Sequence, residues 1–181
     1  MKIWMVRHGE TDYNAARKIQ GCEVDHSLND NGRRQAEERA RVIAHMKFDV
    51  IVSSPLKRAR ETAEIIAKTV NAPIQFRDEI RERGFGAFCG QVFEELNETY
   101  PDWNEVKPME RDQEYKRLYQ RETGEEFRDR LLTFIHEVKT EYEDKQVLVV
   151  AHGGVIRLAH VLFREIDVGF IANAALEEFE I

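Results

Sequence analysis

The chain has 181 residues, enough for one domain with a core of its own. Hydrophobic residues make up 42% and charged residues 34%, a globular composition with a densely charged surface. A formal net charge of -7 speaks against nucleic acid as the main partner, because a phosphate backbone demands a basic face. No run approaches the roughly 20 apolar residues needed to cross a bilayer, so no membrane partner is expected.

The two cysteines, Cys22 and Cys89, offer neither a disulfide framework nor the paired spacing of a zinc site. The first apolar stretch, Ile3–Val6, stops at Arg7, too soon for a secretory leader, and the expected location is cytoplasmic.

Short apolar runs alternate with helical patterns along the chain. Lys2–Val6 reads as a strand. From Asp30 to Met46, apolar residues at positions 36, 40, 43 and 46 mark one buried helix face. Val50–Val52 is a second buried strand, and Pro55 is expected to open a helix at its first position, where a missing amide donor costs nothing. Ile74–Phe76 is a weaker strand. A long helix is expected after Gly124, with Phe127, Leu131, Phe134, Ile135 and Val138 on one side. Gln146–Ala151 is near-continuously apolar, the pattern of a strand covered on both faces. Gly153 and Gly154 interrupt it, Val155–Phe163 resumes as a helix, and Leu176–Ile181 alternates as a final edge strand. That edge offers a way for two copies to pair as a homodimer, though the oligomeric state itself is not legible.

Strands alternating with helices predict a three-layer α/β/α sandwich with a mostly parallel central sheet, a single domain over residues 1–181. Residues 91–123 break the pattern with two prolines and many charges of both signs, and are expected to form an inserted cap segment that chooses the substrate. Within it Arg111, Lys116, Arg117 and Arg121 are candidates for gripping an anion.

Chemistry in open α/β sheets collects at the carboxyl ends of strands. Three such ends carry unusual polar residues: Arg7-His8-Gly9-Glu10-Thr11, Ser53-Ser54-Pro55-Leu56-Lys57-Arg58 and His152-Gly153-Gly154. Together they bring two histidines and two arginines to neighbouring loops. A phosphoryl group in transfer spreads negative charge over its oxygens, so catalysis is mostly positioning and charge stabilisation. Arginine supplies forked, always-charged donors, and histidine can attack if one ring nitrogen is free while the other is held. None of these steps requires a metal or other cofactor. Of the remaining histidines, His45, His136 and His160 read as helix residues without a catalytic role, and His26 as a loop residue able to line the site.

The ordered set Arg7-His8-Gly9-Glu10-Thr11 with Asn14, then Gln20-Gly21, Ser53 to Ala59 and Ala151 to Arg157, resembles the histidine phosphatase (phosphoglycerate-mutase-like) superfamily. Gly124-Glu125-Glu126 and Arg130 resemble its late helix, and the likeness spans nearly the whole chain outside residues 91–123. The resemblance implies a phosphohydrolase in which His8 becomes phosphohistidine, while Arg7, Arg58 and His152 surround the phosphoryl oxygens. It implies that Asn14, Gln20, Gly21 and the Gly153 amide line the substrate pocket. It places a proton donor at Glu82, ahead of Phe85-Gly86, with Glu79 three residues away as the alternative. Cys89 and Ser27 depart from the family pattern, which commonly has glutamate and proline there. The implied partner is a small phosphorylated substrate. Because the chain is short and lacks a basic substrate-gripping insertion, hydrolysis ranks ahead of mutase-type phosphotransfer, with a non-catalytic binding protein as the third reading.

Overall fold

The computed structural model describes residues 1–181. Five strands form one sheet: β1 (Lys2–Arg7), β2 (Val50–Ser53), β3 (Ile74–Phe76), β4 (Val147–Ala151) and β5 (Leu176–Glu180), in the order β3-β2-β4-β1-β5. All neighbours run parallel except β5, which lies antiparallel to β1 as the expected edge strand. Every residue of β2 and β4 is buried, as their unbroken apolar runs require of strands covered on both faces.

The helices are α1 (Asp12–Ala15), α2 (Asp30–Val42), α3 (Lys57–Val70), α4 (Phe93–Thr99), α5 (Asp112–Tyr119), α6 (Gly124–Glu141) and α7 (Gly153–Arg164). Strand alternation sorts them into layers. Ile3, Met5, Val147 and Val149 point toward Phe127, Leu131 and Phe134 of α6 and Val155 and Ala159 of α7. Val6, Ile51, Leu148 and Val150 point the other way, toward Ala40 of α2 and Ala59, Ala63 and Ile66 of α3. A third cluster of Ile19, Phe85, Phe88, Leu96, Trp103 and Tyr115 lies apart from these two and joins α4 and α5 to the rest.

Three boundaries differ from expectation. Pro55 lies one residue before the N-cap, Leu56, because Asp25 Oδ1 accepts the amide of Lys57 at 2.6 Å and so starts α3 later. α2 ends at Val42 rather than Met46; the chain then tightens through Ala44 N–H to Arg41 O and Met46 N–H to Ile43 O, leaving His45 outside the helix. Gly153 and Gly154 form the first turn of α7 instead of interrupting the chain before it.

Register explains why distant motifs meet. Arg7 of β1 pairs with Ala151 of β4, and Ser53 of β2 pairs with Val150 of β4. Since β2, β4 and β1 are adjacent and parallel, Ser54, His152 and His8 leave the sheet side by side at its carboxyl edge.

Candidate active site

His8 leaves β1 with its amide on Ala151 O at 3.0 Å, and its ring lies 5.2 Å, centroid to centroid, from that of His152. Nδ1 of His8 stands 2.6 Å from Gly9 O. A carbonyl can only accept, so Nδ1 carries the proton and Nε2 keeps its lone pair. Burial, then the Arg58 and Arg7 charges, hold the imidazole well below its usual value, so it is neutral at physiological pH. Thr62 secures the turn, its hydroxyl accepting from Gly9 N at 3.0 Å and donating to Arg58 O at 2.8 Å.

Arg58 projects from the first turn of α3. Its two terminal nitrogens donate to Val24 O and Gly21 O, both at 2.7 Å. Arg7 donates to Ile171 O. Burial pushes the Arg7 guanidinium down to about 10, opposed by Glu82 and reinforced by Arg58, and burial also lowers Arg58. Both remain charged at neutral pH. His152 is fully buried, with Nε2 at 2.8 Å from Ser54 Oγ. Burial lowers it as well, followed by the charge of Arg58.

Three nitrogens in this cluster, Arg7 Nε, Arg58 Nε and His152 Nδ1, are buried without a hydrogen-bond partner in the protein. An unsatisfied buried donor costs about 1–3 kcal/mol, and an oxyanion among two guanidinium groups would satisfy it. The N-terminus of α7 adds the Gly153 amide, which has no intrahelical acceptor, and the positive end of the helix dipole.

Glu82 faces the same crevice. Its carboxylate accepts from Gly154 N at 3.1 Å and Arg83 N at 2.9 Å. A Cβ on Gly154 would come within 2.3 Å of Glu82 Oε1, so only glycine lets the carboxylate reach the helix start. Glu79 lies outside the crevice.

The cavity has a volume of about 460 Å³, and its wall includes Arg7, His8, Asn14, Gln20, Gly21, Arg58, Glu82 and Gly153. Of the catalytic residues implied by the resemblance, His152 alone is not part of the wall; its ring is 5.2 Å from that of His8. Thr11 links Asn14 and Gln20 by hydrogen bonds at 3.1 and 2.9 Å.

Other expectations need correction. Arg111, Lys116, Arg117 and Arg121 do not line the cavity. Arg121 is buried on Asp112 at 2.7 Å, while Arg111 and Lys116 face acidic neighbours at the surface. The cations that line it besides Arg7 and Arg58 are Arg17 and Lys18 beside α1 and Arg157 on α7. His26 is exposed, its ring 4.6 Å from that of Tyr13, and is absent from the wall. Asn173 carries no signal in the sequence: it donates to His8 O at 3.1 Å, and the same loop places exposed Phe170 over Arg7. No local pattern marks that loop, because only the antiparallel return into β5 carries it to β1.

Fold and cluster together define an α/β protein with a crevice at its strand ends into which two buried guanidinium groups and a histidine face. The chain belongs to the histidine phosphatase superfamily (branch 1), whose family model matches residues 3–181. It is 41% identical over 185 residues to the uncharacterized phosphatase PhoE of Bacillus subtilis (strain 168), covering 98% of this chain and 87% of that one. It is 33% identical over 180 residues to a metal-independent phosphoserine phosphatase of Arabidopsis thaliana, covering 97% and 74%. Among solved structures, a mycobacterial glucosyl-3-phosphoglycerate phosphatase in complex with VO3 superposes with a TM-score of 0.83 at 26% identity, over 98% of this chain and 90% of that one. Family and relatives support a phosphatase. No helix is long and apolar enough to cross a membrane.

Proposed function

We propose that the protein hydrolyses phosphomonoesters of small metabolites without a metal, through a phosphohistidine on His8. The observation that carries this reading is the neutral His8 ring with its free Nε2, set beside two buried guanidinium groups that each keep an unpaired Nε. In the first step Nε2 attacks phosphorus, the ester P–O bond breaks, and Glu82 gives its proton to the leaving alkoxide. In the second, water attacks the phosphohistidine, Glu82 takes back a proton, and inorganic phosphate leaves with the imidazole restored. Arg7, Arg58 and His152 stabilise the charge on the equatorial oxygens in both steps.

Asn14, Gln20, Gly21 and the Gly153 amide line the substrate pocket. Residues 91–123 act as the cap that selects the alcohol portion, a role supported by Phe93, Trp103 and Asn104 at the cavity wall. Phosphoserine and phosphoglycerate derivatives, the compounds in the relatives' names, are the first esters to try.

The test is release of p-nitrophenol from p-nitrophenyl phosphate with a chelator present. Undiminished release is expected, with a loss on the order of 10⁵-fold in His8→Ala, as for removal of a covalent nucleophile. Inhibition by the chelator would end the metal-independent reading, and substantial activity in His8→Ala would end the phosphohistidine. No release from either protein would favour the binding protein. Phosphoryl transfer between 2,3-bisphosphoglycerate and 3-phosphoglycerate outpacing hydrolysis would favour the mutase.

A further inference from the structure

Glu82 rides on a connection with no regular strand or helix of its own: a single 3₁₀ turn, Asp78–Ile80, and then extended chain to Gly84. Away from the site this connection faces a polar hollow of about 410 Å³, bordered by Cys22, Asp78, Arg81, Glu122 and Arg130, so packing does not hold it from that side. A proton donor must stay within hydrogen-bond reach of the oxygen it protonates, and a displacement of about 1 Å costs on the order of 100-fold in rate. Ile80 anchors the connection in the main core and Phe85 in the aromatic cluster, which leaves the main chain from Arg81 to Gly84 between them to be fixed by polar contacts.

Arg130, on α6, spans the gap. Its Nη1 donates to Glu79 O at 2.6 Å and Arg81 O at 2.8 Å, and its Nη2 to Glu82 O at 3.1 Å. The remaining donors make a two-pronged pair with Glu122, Nε to Oε1 at 2.7 Å and Nη2 to Oε2 at 3.0 Å. These five bonds match the five N–H donors of a guanidinium, and three of them end on main-chain carbonyls of the Glu82 connection. Glu122 continues the clamp: its Oε2 accepts from Gly84 N at 3.0 Å, and its amide donates to Gly84 O at 2.8 Å. The Glu82 main chain is thus gripped on one side while its carboxylate meets the Gly154 amide on the other.

We infer that Arg130, braced by Glu122, is a positioning residue that aims the Glu82 carboxyl group at the leaving oxygen. The inference rests on the proposed role of Glu82. Arg130 does not itself line the cavity. Its contact with the site runs through the main chain of Glu82, while its charge also helps to lower His152, so charge and geometry must be separated by the choice of substrate. A lysine offers a point charge with three donors and cannot span three carbonyls and a carboxylate at once.

A proton donor matters most when the leaving group is a poor one, and this sets the test. Turnover of phosphoserine, an alkyl ester, is compared with that of p-nitrophenyl phosphate, whose phenolate leaves unaided. Arg130→Met should lower kcat for phosphoserine at least tenfold more than for p-nitrophenyl phosphate, and Arg130→Lys should not restore it. Glu82→Gln should show the same selectivity, and adding Arg130→Met to it should cost less than a further threefold on phosphoserine. Should Arg130→Met not fold, Glu122→Gln, which loosens the same clamp, is read in its place with the same expectation.

Equal slowing of both esters by the Arg130 or Glu122 variant, beside a selective Glu82→Gln, would overturn the inference and leave the role of Glu82 standing. Rescue by Arg130→Lys would do the same, since charge alone would then suffice. An unselective Glu82→Gln would remove the proton donor from the mechanism and this inference with it.

Discussion

The floor of the crevice and its rim are held by different forces. On the floor, Arg58, Arg7 and His8 each donate to a backbone carbonyl (Gly21 and Val24, Ile171, and Gly9 respectively), and His152 meets Ser54. Each group is buried, and its direction is set by a hydrogen bond to main chain or, for His152, to the Ser54 hydroxyl. The rim, from residue 91 to 123, stands on aromatic packing instead: Trp103 meets Phe85 at 5.1 Å and Phe93 at 5.4 Å, and Phe88 meets Tyr119 at 4.6 Å. That cluster is separate from the two that flank the sheet. On the proposed reading, the alcohol-selecting part of the molecule can therefore change without disturbing the part that handles the phosphoryl group. The separation can be tested from either side.

The largest expected effect on stability comes from the rim. Trp103 is 2% exposed, contacts three phenylalanine rings and donates to Asn97 Oδ1 at 2.6 Å. Trp103→Ala should cost about 3–5 kcal/mol of stability, the usual figure for emptying a large aromatic site. Hydrogen exchange should place the new opening in residues 91–123, and the folded fraction should keep its turnover of p-nitrophenyl phosphate within tenfold. A variant that folds normally but loses phosphoryl transfer would erase the distinction between rim and floor.

Arg58→Ala attacks the floor. Loss of one preorganised charged donor to the transition state should lower kcat/KM by about 3–4 kcal/mol, comparable to losing an oxyanion-hole donor. It also leaves Gly21 O and Val24 O without their donors, so melting should fall together with activity. A loss under tenfold would remove Arg58 from the chemistry.

The same division governs what the sequence reveals. His8, Arg7, Arg58 and His152 are legible because each follows an apolar run within a few residues, and strand ends are where an open sheet does chemistry. The order of layers follows as directly from the apolar runs of β2 and β4. Choosing between Glu79 and Glu82 takes the Gly154 amide, supplied from the far end of the chain. The basic residues between positions 91 and 123 mislead for a related reason: Arg121 reads as a candidate for gripping an anion, whereas Asp112 takes it into the interior. Asn173 and Phe170 reach the crevice only through long-range packing, and no short pattern announces them. Local boundaries fail where a distant side chain decides, as when Asp25 caps α3 and leaves Pro55 outside.

The smallest effect at neutral pH, and one confined to the floor, is acid sensitivity. Both imidazoles of the cluster are held well below the ordinary histidine value near 6.5, chiefly by burial and then by the neighbouring arginine charge. Unfolding returns them to ordinary values, so below about 6.5 the unfolded chain binds more protons than the folded one, and stability rises with pH across that range. Their contribution is fully present above about 6.5 and is lost as the pH falls toward the depressed folded-state values. Denaturant melts between pH 7.5 and 5 should therefore show a decline that flattens when both rings are replaced, in His8→Asn with His152→Asn. The acid limb of kcat/KM governed by His8 should likewise lie below 6.5, because the free enzyme keeps Nε2 unprotonated until the ring is forced to charge. An unchanged slope in the double variant would mean that these rings titrate as they do in water. The buried guanidinium groups would then not be pressing on them, and the electrostatic account of the floor would fail while the packing of the rim stood untouched.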